Sequence, residues 1–562
     1  MRIFERKYDL AFILYAVCFP VIACLYADGI TVNDFILRLA LSLLIGAFVY
    51  LISLNFDGIS RKIFLSLFYI VVIVPSIIVL SYIIIDGTLI KGSNFFIVFE
   101  TNFNESSEFV SGYLSAKAII ILLIYVLPSV AYLVFSKKSI LGFGNKKLIS
   151  FAIIKNKKLL ILKYKYTGIA LLLCLVFFLK NENIAKNNYT LDFYRSFYYF
   201  RKIIIKYKEY ESKRNVKNFI VTTSLPNNED KTFVIIIGEA LSKHHLSLYG
   251  YKRKTNPLLE KIKNELLVYN DVISPHTHTL EVMRCLLTFA DNENIKPYFE
   301  KPSIIELFNN AGFETYWLEN QISVGKWENT GIISKKAKHF YITNSDDTWF
   351  YNNSIFDEIA LKYLDKILTD KTKKNKMIFI HLMGSHPIYD KRYPPFFAAF
   401  DNNKNLYLVK DNLKNDEKKI VNEYDNSVLY NDFVVSSIIG KIKKSEKFSF
   451  VLYMPDHGEE VYNFREYYGH TFSHKSSYMC EIPFILWRSE EFKKEVAISV
   501  DTTRPYSTEN LIYSVSDLAK LNYKDYDAGK SIFSEKFIVR ERKVGELKYE
   551  ELKAKTQLQC KK

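Results

Sequence analysis

The amino-terminal third of the chain contains long stretches without a charged residue. Four runs are uncharged for 18 to 23 positions: residues 10–27, 39–56, 63–85 and 118–136. An α-helix needs about 20 mainly apolar residues to cross the hydrocarbon core of a bilayer, and soluble core helices are rarely apolar for so long. We therefore predict four membrane spans here. A fifth span over residues 166–179 requires Lys163 and Lys165 to reach the interface.

Basic residues are distributed unevenly between the segments that connect these runs. The chain carries 76 Lys+Arg and 60 Asp+Glu, and nine lysines lie within residues 136–165, which contain no acid. Arg2, Arg61 and Lys62 belong to other basic connections, whereas the alternate connections are mainly acidic. The positive-inside rule assigns basic connections to the cytoplasm. Five spans then place everything after residue 180 on the opposite side of the membrane.

A segment rich in aromatic and basic residues follows the last run. Residues 189–210 read YTLDFYRSFYYFRKIIIKYKEY. This mixture is typical of a helix that lies in the membrane interface, but an amphipathic helix packed on a soluble domain fits equally well. We predict a transmembrane domain over residues 1–180, an interfacial linker over 181–217 and a soluble domain over 218–562.

The second half of the sequence alternates between strand and helix patterns. Five apolar runs are predicted strands: residues 233–237, 315–318, 377–381, 448–453 and 482–487. Helical patterns lie between them at residues 302–311, 354–368 and 417–443. This alternation predicts an α/β domain with a mostly parallel sheet. With 49% apolar residues, the chain is not globally disordered, and six scattered cysteines do not make a disulfide scaffold.

Polar residues that suit metal and phosphate chemistry follow several predicted strands. Glu239 follows the first strand, His386 lies beyond the third, Asp456 and His457 follow the fourth, and Thr279 precedes a helical pattern. Each residue alone could be a surface group, a turn or a helix cap. Together, a carboxylate, an Asp, a His and a hydroxyl can bind Zn²⁺. A metal-bound threonine hydroxyl is a nucleophile at neutral pH, and a helix N-terminus favours a phosphoryl group.

Five ordered segments give the chain a family resemblance. They are IIIGEALSKHHLSLYGYKRKTNPLL (235–259), SPHTHTLEVMRCLLTF (274–289), HLMGSHPIYDKRYPPFF (381–397), MPDHGEE (454–460) and GHTFSHKSSYMCEIPFILW (469–487). The chain resembles the phosphoethanolamine transferases of Gram-negative bacteria, which include the mobile colistin-resistance enzymes. These belong to the alkaline phosphatase/sulfatase superfamily. The resemblance covers nearly the whole chain and implies five spans, an interfacial connector and a sulfatase-like periplasmic domain.

The resemblance implies specific roles for the residues of the predicted site. It makes Thr279 the nucleophile and Glu239, Thr279, Asp456 and His457 the metal ligands. Thr279 lies six positions before Cys285, which favours it over Thr277. Two positions depart from the family pattern. Ala240 replaces a Ser or Thr, and Pro275 replaces the cysteine that is disulfide-bonded to the Cys285 equivalent in many relatives, so that bridge is lost.

The resemblance also implies substrate-binding residues. His386 matches a phosphate or substrate ligand, and the later family histidine matches His470, with His474 as the alternative. Lys326 is a weaker candidate. In the segment between spans three and four, Thr101 and Glu105 match a motif that contacts the lipid donor, although Ile97 replaces an asparagine of some relatives.

The function implied by these matches is a two-step transfer at the outer surface of the bacterial inner membrane. Thr279 attacks the phosphate of phosphatidylethanolamine, diacylglycerol leaves, and lipid A or a lipooligosaccharide core then accepts the phosphoethanolamine. One zinc ion is expected, with room for a second, and no nucleic-acid partner is expected. The alternatives are a phosphoglycerol transferase that uses phosphatidylglycerol and Mn²⁺, and a membrane-anchored binding protein without activity. A sulfatase is disfavoured, because no Cys/Ser-x-Pro-x-Arg sequence lies near residue 279.

Overall fold

A computed structural model shows two compact units, Met1–Lys206 and Tyr207–Lys562. It describes residues 2–26, 30–54, 56, 58–86, 116–135, 187–213, 216, 219–226, 229–321, 329–343, 356–402, 412–445, 447–471 and 474–560. Its helices, numbered in chain order, are α1 Arg2–Ala23, α2 Val32–Ser53, α3 Gly58–Asp86, α4 Ala116–Phe135, α5 Tyr189–Lys213, α6 Pro257–Lys261, α7 Thr279–Leu286, α8 Lys296–Glu300, α9 Ile304–Asn310, α10 Asn329–Ser334, α11 Ile359–Thr369, α12 Asn415–Lys444, α13 Glu490–Glu495, α14 Leu511–Leu518 and α15 Tyr549–Cys560.

The described residues of the first unit are mainly helical, and helices α1 to α4 cover most of the four predicted spans. Within the described residues, the helical stretches Val32–Ser53 and Ser60–Ile84 are long and apolar enough to cross a membrane, and Tyr8–Ala23 and Ala118–Tyr132 are shorter apolar stretches. The fifth candidate and the lysine-rich segment 136–165 lie outside the described residues. The five-span topology therefore stays a prediction.

A buried carboxylate joins three helices of this unit. Asp9 on α1, 1% exposed, forms an ion pair with Arg61 on α3 and accepts a hydrogen bond from Tyr132 on α4. A charge inside a helix bundle is tolerated when a partner compensates it. The charge pattern assigns the N-terminal segment, which ends at Asp9, and the connection that contains Arg61 to the same side of the membrane. The ion pair between the two residues places them at the same end of the helices.

Helix α5 contains the predicted interfacial segment, and its first turns pack within the first unit. The side chains of Tyr189 and Phe193 are buried against Val21 and Val79. Farther along, Tyr198 is 63% exposed. The first turns of α5 therefore pack against the apolar helices, and both interpretations of the segment stay predictions. The predicted boundaries at residues 180 and 217 stay predictions.

The second unit is built on a seven-stranded mixed sheet. Its strands, numbered in chain order, are β1 Lys231–Gly238, β2 Leu266–Tyr269, β3 Glu314–Glu319, β4 His339–Ile342, β5 Asn375–His381, β6 Phe448–Pro455 and β7 Phe484–Arg488. The order across the sheet is β2-β7-β6-β1-β5-β3-β4. The pairings from β6 to β4 are parallel, whereas β7 runs antiparallel to both of its neighbours. All five predicted strands lie in this sheet, and β2 and β4 are additional.

Both faces of the sheet are covered by apolar cores. All eight residues of β1 are buried, with Phe233, Ile235 and Ile237 in one core and Val234 and Ile236 in the other. This two-residue alternation follows from the strand geometry, and apolar side chains on both faces are typical of parallel strands covered by helices. Because β1 is parallel to its neighbours β5 and β6, the carboxyl ends of these three strands meet at one edge of the sheet. Ligands of such sheets bind at this edge.

Helix ends follow local sequence signals. The predicted helix at 302–311 is α9, which begins with a capping box between Ser303 and Glu306. The predicted helix at 417–443 is α12, one to two residues longer at each end. The prediction of a helix from residue 354 placed its start too early, because α11 begins at Ile359. Asp357, just before it, accepts hydrogen bonds from the backbone N–H groups of Met383 and Gly384.

Candidate active site

The sheet brings residues that are far apart in the sequence to one edge. Gly238 at the end of β1 pairs with Pro455 at the end of β6. The pairing continues for one residue, since the Asp456 N–H donates to the Gly238 carbonyl at 3.0 Å. Glu239 and Asp456 therefore leave neighbouring strands side by side. Ala240, which follows, adopts φ 53 and donates its N–H to Asp456 Oδ1 at 3.2 Å, so the tight turn also orients the carboxylate.

Four predicted site residues converge within this turn region. Possible ligand atoms of Glu239, Asp456 and His457 lie within 4.8 Å of one another. His457 Nε2 is 3.4 Å from Glu239 Oε1 and 3.5 Å from Asp456 Oδ2. The Thr279 hydroxyl donates to Glu239 Oε2 at 3.3 Å. Two carboxylates, an imidazole and a hydroxyl thus face one small buried space.

The atoms that face this space are suited to hold a metal ion. His457 Nδ1 donates to the Gly458 carbonyl at 2.8 Å, so Nε2 is the nitrogen that faces Asp456 and Glu239 and can bind a metal ion when its proton is displaced. Asp456 Oδ2 and His457 Nε2 are buried, and neither has a hydrogen-bond partner among the described residues. Buried polar atoms are almost always paired in proteins. This pair of buried acceptors therefore fits a cation, and the donor set fits zinc.

The pKa values of this cluster reflect closely spaced charges. Burial raises the pKa of Asp456 to about 6, and the adjacent Glu239 charge adds to the effect. Burial would lower the pKa of His457, but Asp456 and Glu239 raise it to about 10. Burial would also raise the pKa of Glu239, yet the His457 imidazole keeps it well below its usual range. The cluster thus concentrates negative charge that a cation would stabilise.

Thr279 is the first residue of α7, and His278 occupies the cap position. The alternative in which Thr279 serves only as the helix cap is therefore wrong. Thr277 is directed elsewhere, since its hydroxyl donates to the Thr471 carbonyl at 3.1 Å. Cys285 is a free, buried cysteine, as expected with Pro275 in place of the partner cysteine. The geometry favours Thr279 over Thr277 as the nucleophile.

The ring of His470 lies next to the rings of His457 and His278. The His470 ring centroid lies 4.3 Å from that of His457 and 4.8 Å from that of His278. His470 Nδ1 is 2.7 Å from Glu459 Oε2, which orients the ring. For the alternative, His474, the structure gives a backbone contact, in which its carbonyl accepts from Arg465. His457, Glu459 and His470 also form a second group of potential metal ligands. The ring contacts place His470 beside His457 and His278, and the assignment of His470 or His474 as a substrate ligand stays a prediction.

His386 approaches the cluster from the end of β5. The loop that carries it is bound to the Glu239 turn, because the Ser385 N–H donates to the Glu239 carbonyl at 3.0 Å. The remaining candidates, Lys326, Thr101 and Glu105, lie outside the described residues, as does Ile97.

Several residues of the site had no clear sequence signal. Gln321, beyond the end of β3, donates its side-chain amide to Glu239 Oε2 at 2.7 Å. Glu459 holds His470 and accepts a hydrogen bond from Tyr389 at 2.7 Å. His278 was visible only as one of several histidines near Thr279. Glu459 is the first acid after Asp456-His457, and this position could have indicated it, but nothing in the sequence links Gln321 to a residue 82 positions away.

Replacing Gln321 by leucine is expected to weaken metal binding. Loss of an outer-shell hydrogen bond typically costs 10- to about 100-fold in metal affinity, because the ligating carboxylate is no longer oriented. Titration of the metal-free protein with zinc measures the change. Gln557→Leu, on an exposed position of α15, is the matched control. An unchanged zinc affinity in the Gln321 variant would show that Glu239 needs no such support.

Gly384 allows two loops of the site to approach each other. It adopts φ +55, and a Cβ atom there would lie 2.6 Å from the Glu239 backbone nitrogen and 2.7 Å from its carbonyl oxygen. Only glycine combines this backbone conformation with such close contact. The ends of β1 and β5 are therefore packed backbone against backbone at the site.

Gly384→Ala is expected to lower stability by at least about 2 kcal/mol and to reduce metal content, since the left-handed backbone and the clash both disfavour it. Thermal unfolding and metal analysis of the purified protein test this. Gly440→Ala in α12 is the control, because a Cβ there meets nothing within 4 Å. It should stabilise the protein by about 0.5–1 kcal/mol. Equal behaviour of the two variants would contradict the close approach.

The chain is similar to known proteins in sequence and in fold. The sulfatase family model matches residues 231–521. Phosphoethanolamine transferase EptC of Escherichia coli (strain K12) is 31% identical over 510 residues, which cover 86% of this chain and 84% of that protein. The crystal structure of the C-terminal periplasmic domain of EcEptC in complex with Zn is 32% identical, with a TM-score of 0.56, and covers 61% of this chain and 98% of that domain.

A third comparison extends over most of the chain. The integral membrane protein lipooligosaccharide phosphoethanolamine transferase A (EptA) from Neisseria meningitidis has a TM-score of 0.65 at 20% identity, covering 93% of this chain and 97% of that protein. At this identity the likeness shows the fold.

The chain belongs to the sulfatase family and, within it, to the phosphoethanolamine transferases. It is an enzyme of this class, as the sequence predicted. The predicted sulfatase-like α/β domain is confirmed, with a mixed sheet in which four of the six pairings are parallel.

Proposed function

We propose that this protein transfers phosphoethanolamine from phosphatidylethanolamine to a cell-surface glycolipid, lipid A or a lipooligosaccharide core, through a threonine-bound intermediate. The observation that carries the proposal is the contact of the Thr279 hydroxyl with Glu239, 3.3 Å apart, beside Asp456 and His457. A hydroxyl at a helix start, next to a cation site, is placed to attack a phosphorus atom.

Zinc is the proposed cofactor, held by Glu239, Thr279, Asp456 and His457. Two carboxylate ligands, an imidazole and a hydroxyl make a four-donor set that suits zinc better than Mn²⁺, which prefers more oxygen ligands. A zinc ion there supplies Lewis-acid stabilisation of negative charge on oxygen. The cluster of His457, Glu459 and His470 would be the place for a second ion.

In the first half-reaction, the Thr279 hydroxyl loses its proton to water, its oxygen forms a bond to the donor phosphorus, and the bond from phosphorus to the diacylglycerol oxygen breaks. His470, oriented by Glu459, is placed to give the leaving oxygen its proton. In the second half, an acceptor oxygen attacks the same phosphorus, its proton passes to His470, and the Thr279 oxygen leaves and takes up a proton from water. His386 holds a phosphate oxygen, and Lys326, Thr101 and Glu105 are proposed substrate contacts.

The proposed location is the bacterial inner membrane, with several spans and the catalytic unit in the periplasm. The apolar helices of the first unit support membrane attachment, and the positive-inside pattern supports the orientation. A periplasmic reporter fused to the C-terminus should be active. Activity of a cytoplasmic reporter instead would contradict the orientation.

The test of the function uses the purified full chain with phosphatidylethanolamine or phosphatidylglycerol, each labelled in the head group. Label from phosphatidylethanolamine should appear on the protein and then on added lipid A or core oligosaccharide. Mass spectrometry of these glycolipids from cells with and without the gene identifies the modified position. Transfer from phosphatidylglycerol alone would favour the phosphoglycerol transferase and contradict the proposal.

A further inference from the structure

The loop after His386 ends in an exposed apolar segment. Residues 394–400 read Pro-Pro-Phe-Phe-Ala-Ala-Phe, and Phe396 is 92% exposed. Pro395, Ala398 and Ala399 are exposed as well. A single exposed apolar side chain is ordinary, but here four of five consecutive positions, 395–399, are apolar and exposed. We call residues 395–399 the apolar tip.

The apolar tip stands on a well-packed base. The ring of Phe397 packs against Tyr430 and Phe433 of α12, with centroids 4.9 and 5.3 Å apart. The Phe400 N–H donates to Asn426 Oδ1 at 2.8 Å, and its carbonyl accepts from Asn426 Nδ2 at 3.0 Å. The chain is thus anchored at Phe397 and Phe400, and the exposure of Phe396 follows from this anchoring.

The base is also connected to the active site. Arg392 is buried and donates from Nε to the His386 carbonyl at 3.1 Å and from Nη2 to the Pro387 carbonyl at 3.0 Å. A force on the apolar tip would therefore be transmitted to the segment that carries His386.

We propose that the apolar tip inserts into the surface of a lipid bilayer and brings the active site to its lipid donor. The inference rests on the proposed function, in which the donor is a membrane lipid. Residues 394–400 contain no side chain that can donate or accept a hydrogen bond, whereas the rim of a protein interface is polar. Hydrocarbon is the environment that such a surface fits.

Two further features favour a bilayer as the occupant. Helices of the first unit that are long enough to cross a membrane tether the chain to one, so even a small apolar surface can engage it. Lys391, whose side chain is 58% exposed, lies four residues before the apolar tip, and its ammonium group is 3.7 Å from Asp390 Oδ2. Its ammonium group can reach the phosphates of lipid head groups while Phe396 enters the apolar region.

Fluorescence quenching tests the insertion without depending on activity. The full chain is reconstituted in bilayers with brominated acyl chains, and Phe396→Trp is compared with the unaltered protein, which has four tryptophans. Val539→Trp, at a position 62% exposed on another loop, is the matched control. Additional quenching in the Phe396 variant alone is expected. No additional quenching, or equal quenching of both variants, would overturn the proposal, and the first result would leave a protein partner as the occupant.

Kinetics provide the second test. Phe396→Ser should raise the KM for phosphatidylethanolamine in vesicles about tenfold and leave kcat unchanged. The reason is the loss of one aromatic side chain that is buried in the bilayer when the apolar tip inserts. The KM for a dispersed short-chain donor should not change, and Val539→Ser should change neither. An equal effect on both donors would indicate a structural role for Phe396 and contradict insertion. If the unaltered protein uses neither donor, the proposed function fails while the quenching result stands.

Discussion

Thr279→Ala is expected to lower the rate of phosphoethanolamine transfer by about 10³-fold or more and to abolish the covalent adduct on the protein. Removal of a nucleophile leaves only the catalysis that binding and charge stabilisation provide. Folding should be nearly unchanged, because the hydrogen bonds from the Thr279 hydroxyl to Glu239, at 3.3 and 3.5 Å, are long and contribute little to stability. Intact mass spectrometry after incubation with labelled donor measures the adduct.

The controls for this experiment lie in the same loop. Thr277→Ala removes a hydroxyl that is bonded to the Thr471 carbonyl, so it should retain the adduct. Thr279→Ser preserves an attacking oxygen and should restore part of the activity. An adduct of normal yield on the Thr279→Ala protein, or its loss only in the Thr277 variant, would assign the nucleophile to another residue.

Asp456→Asn is expected to reduce zinc affinity by more than about 100-fold, because it removes a ligand charge and not merely its support. The same change should leave the metal-free protein as stable as before or more stable. In that state the Asp456 and Glu239 carboxylates oppose each other, which, together with burial, raises the pKa of Asp456 to about 6. Loss of one charge relieves this repulsion.

Metal analysis and thermal unfolding with and without a chelator measure both effects. A metal ion that binds only the folded state stabilises it, so chelation should lower the thermal unfolding midpoint of the unaltered protein. The unfolding midpoint of the Asp456→Asn protein should not change. Asp432→Asn, another buried aspartate, which accepts from the N–H groups of Leu258 and Leu259, should retain the metal. Stoichiometric zinc in the Asp456→Asn protein would remove Asp456 from the ligand set.

The sequence alone was sufficient to predict the strands at the centre of the sheet. Runs such as residues 233–237 are apolar throughout and bounded by charged or turn residues, and this pattern has few alternatives in an α/β chain. Strand β4, with half-buried residues on an edge, carries no such pattern. The antiparallel direction of β7 was also not predicted, since a strand pattern is the same in both directions.

A site residue could be predicted when it belongs to a short motif of consecutive residues. Thr279, Asp456 and His457 lie in short motifs that a family resemblance can identify. The position of His470 beside His457 and His278 was known only from the ring contacts. Such contacts cannot be read from the sequence, because the path of the folded chain decides which rings meet.

By itself, the sequence determined the two-part organisation, the class of fold and the kind of chemistry, because hydrophobic periodicity and motif identity are local properties of a chain. Only the tertiary structure decided which atoms meet: Glu239 with Thr279 and Gln321, the orientation of His457 Nε2, and the outward position of Phe396. These contacts join residues tens to hundreds of positions apart, and their geometry follows from strand order, backbone conformation and packing, which no local pattern specifies.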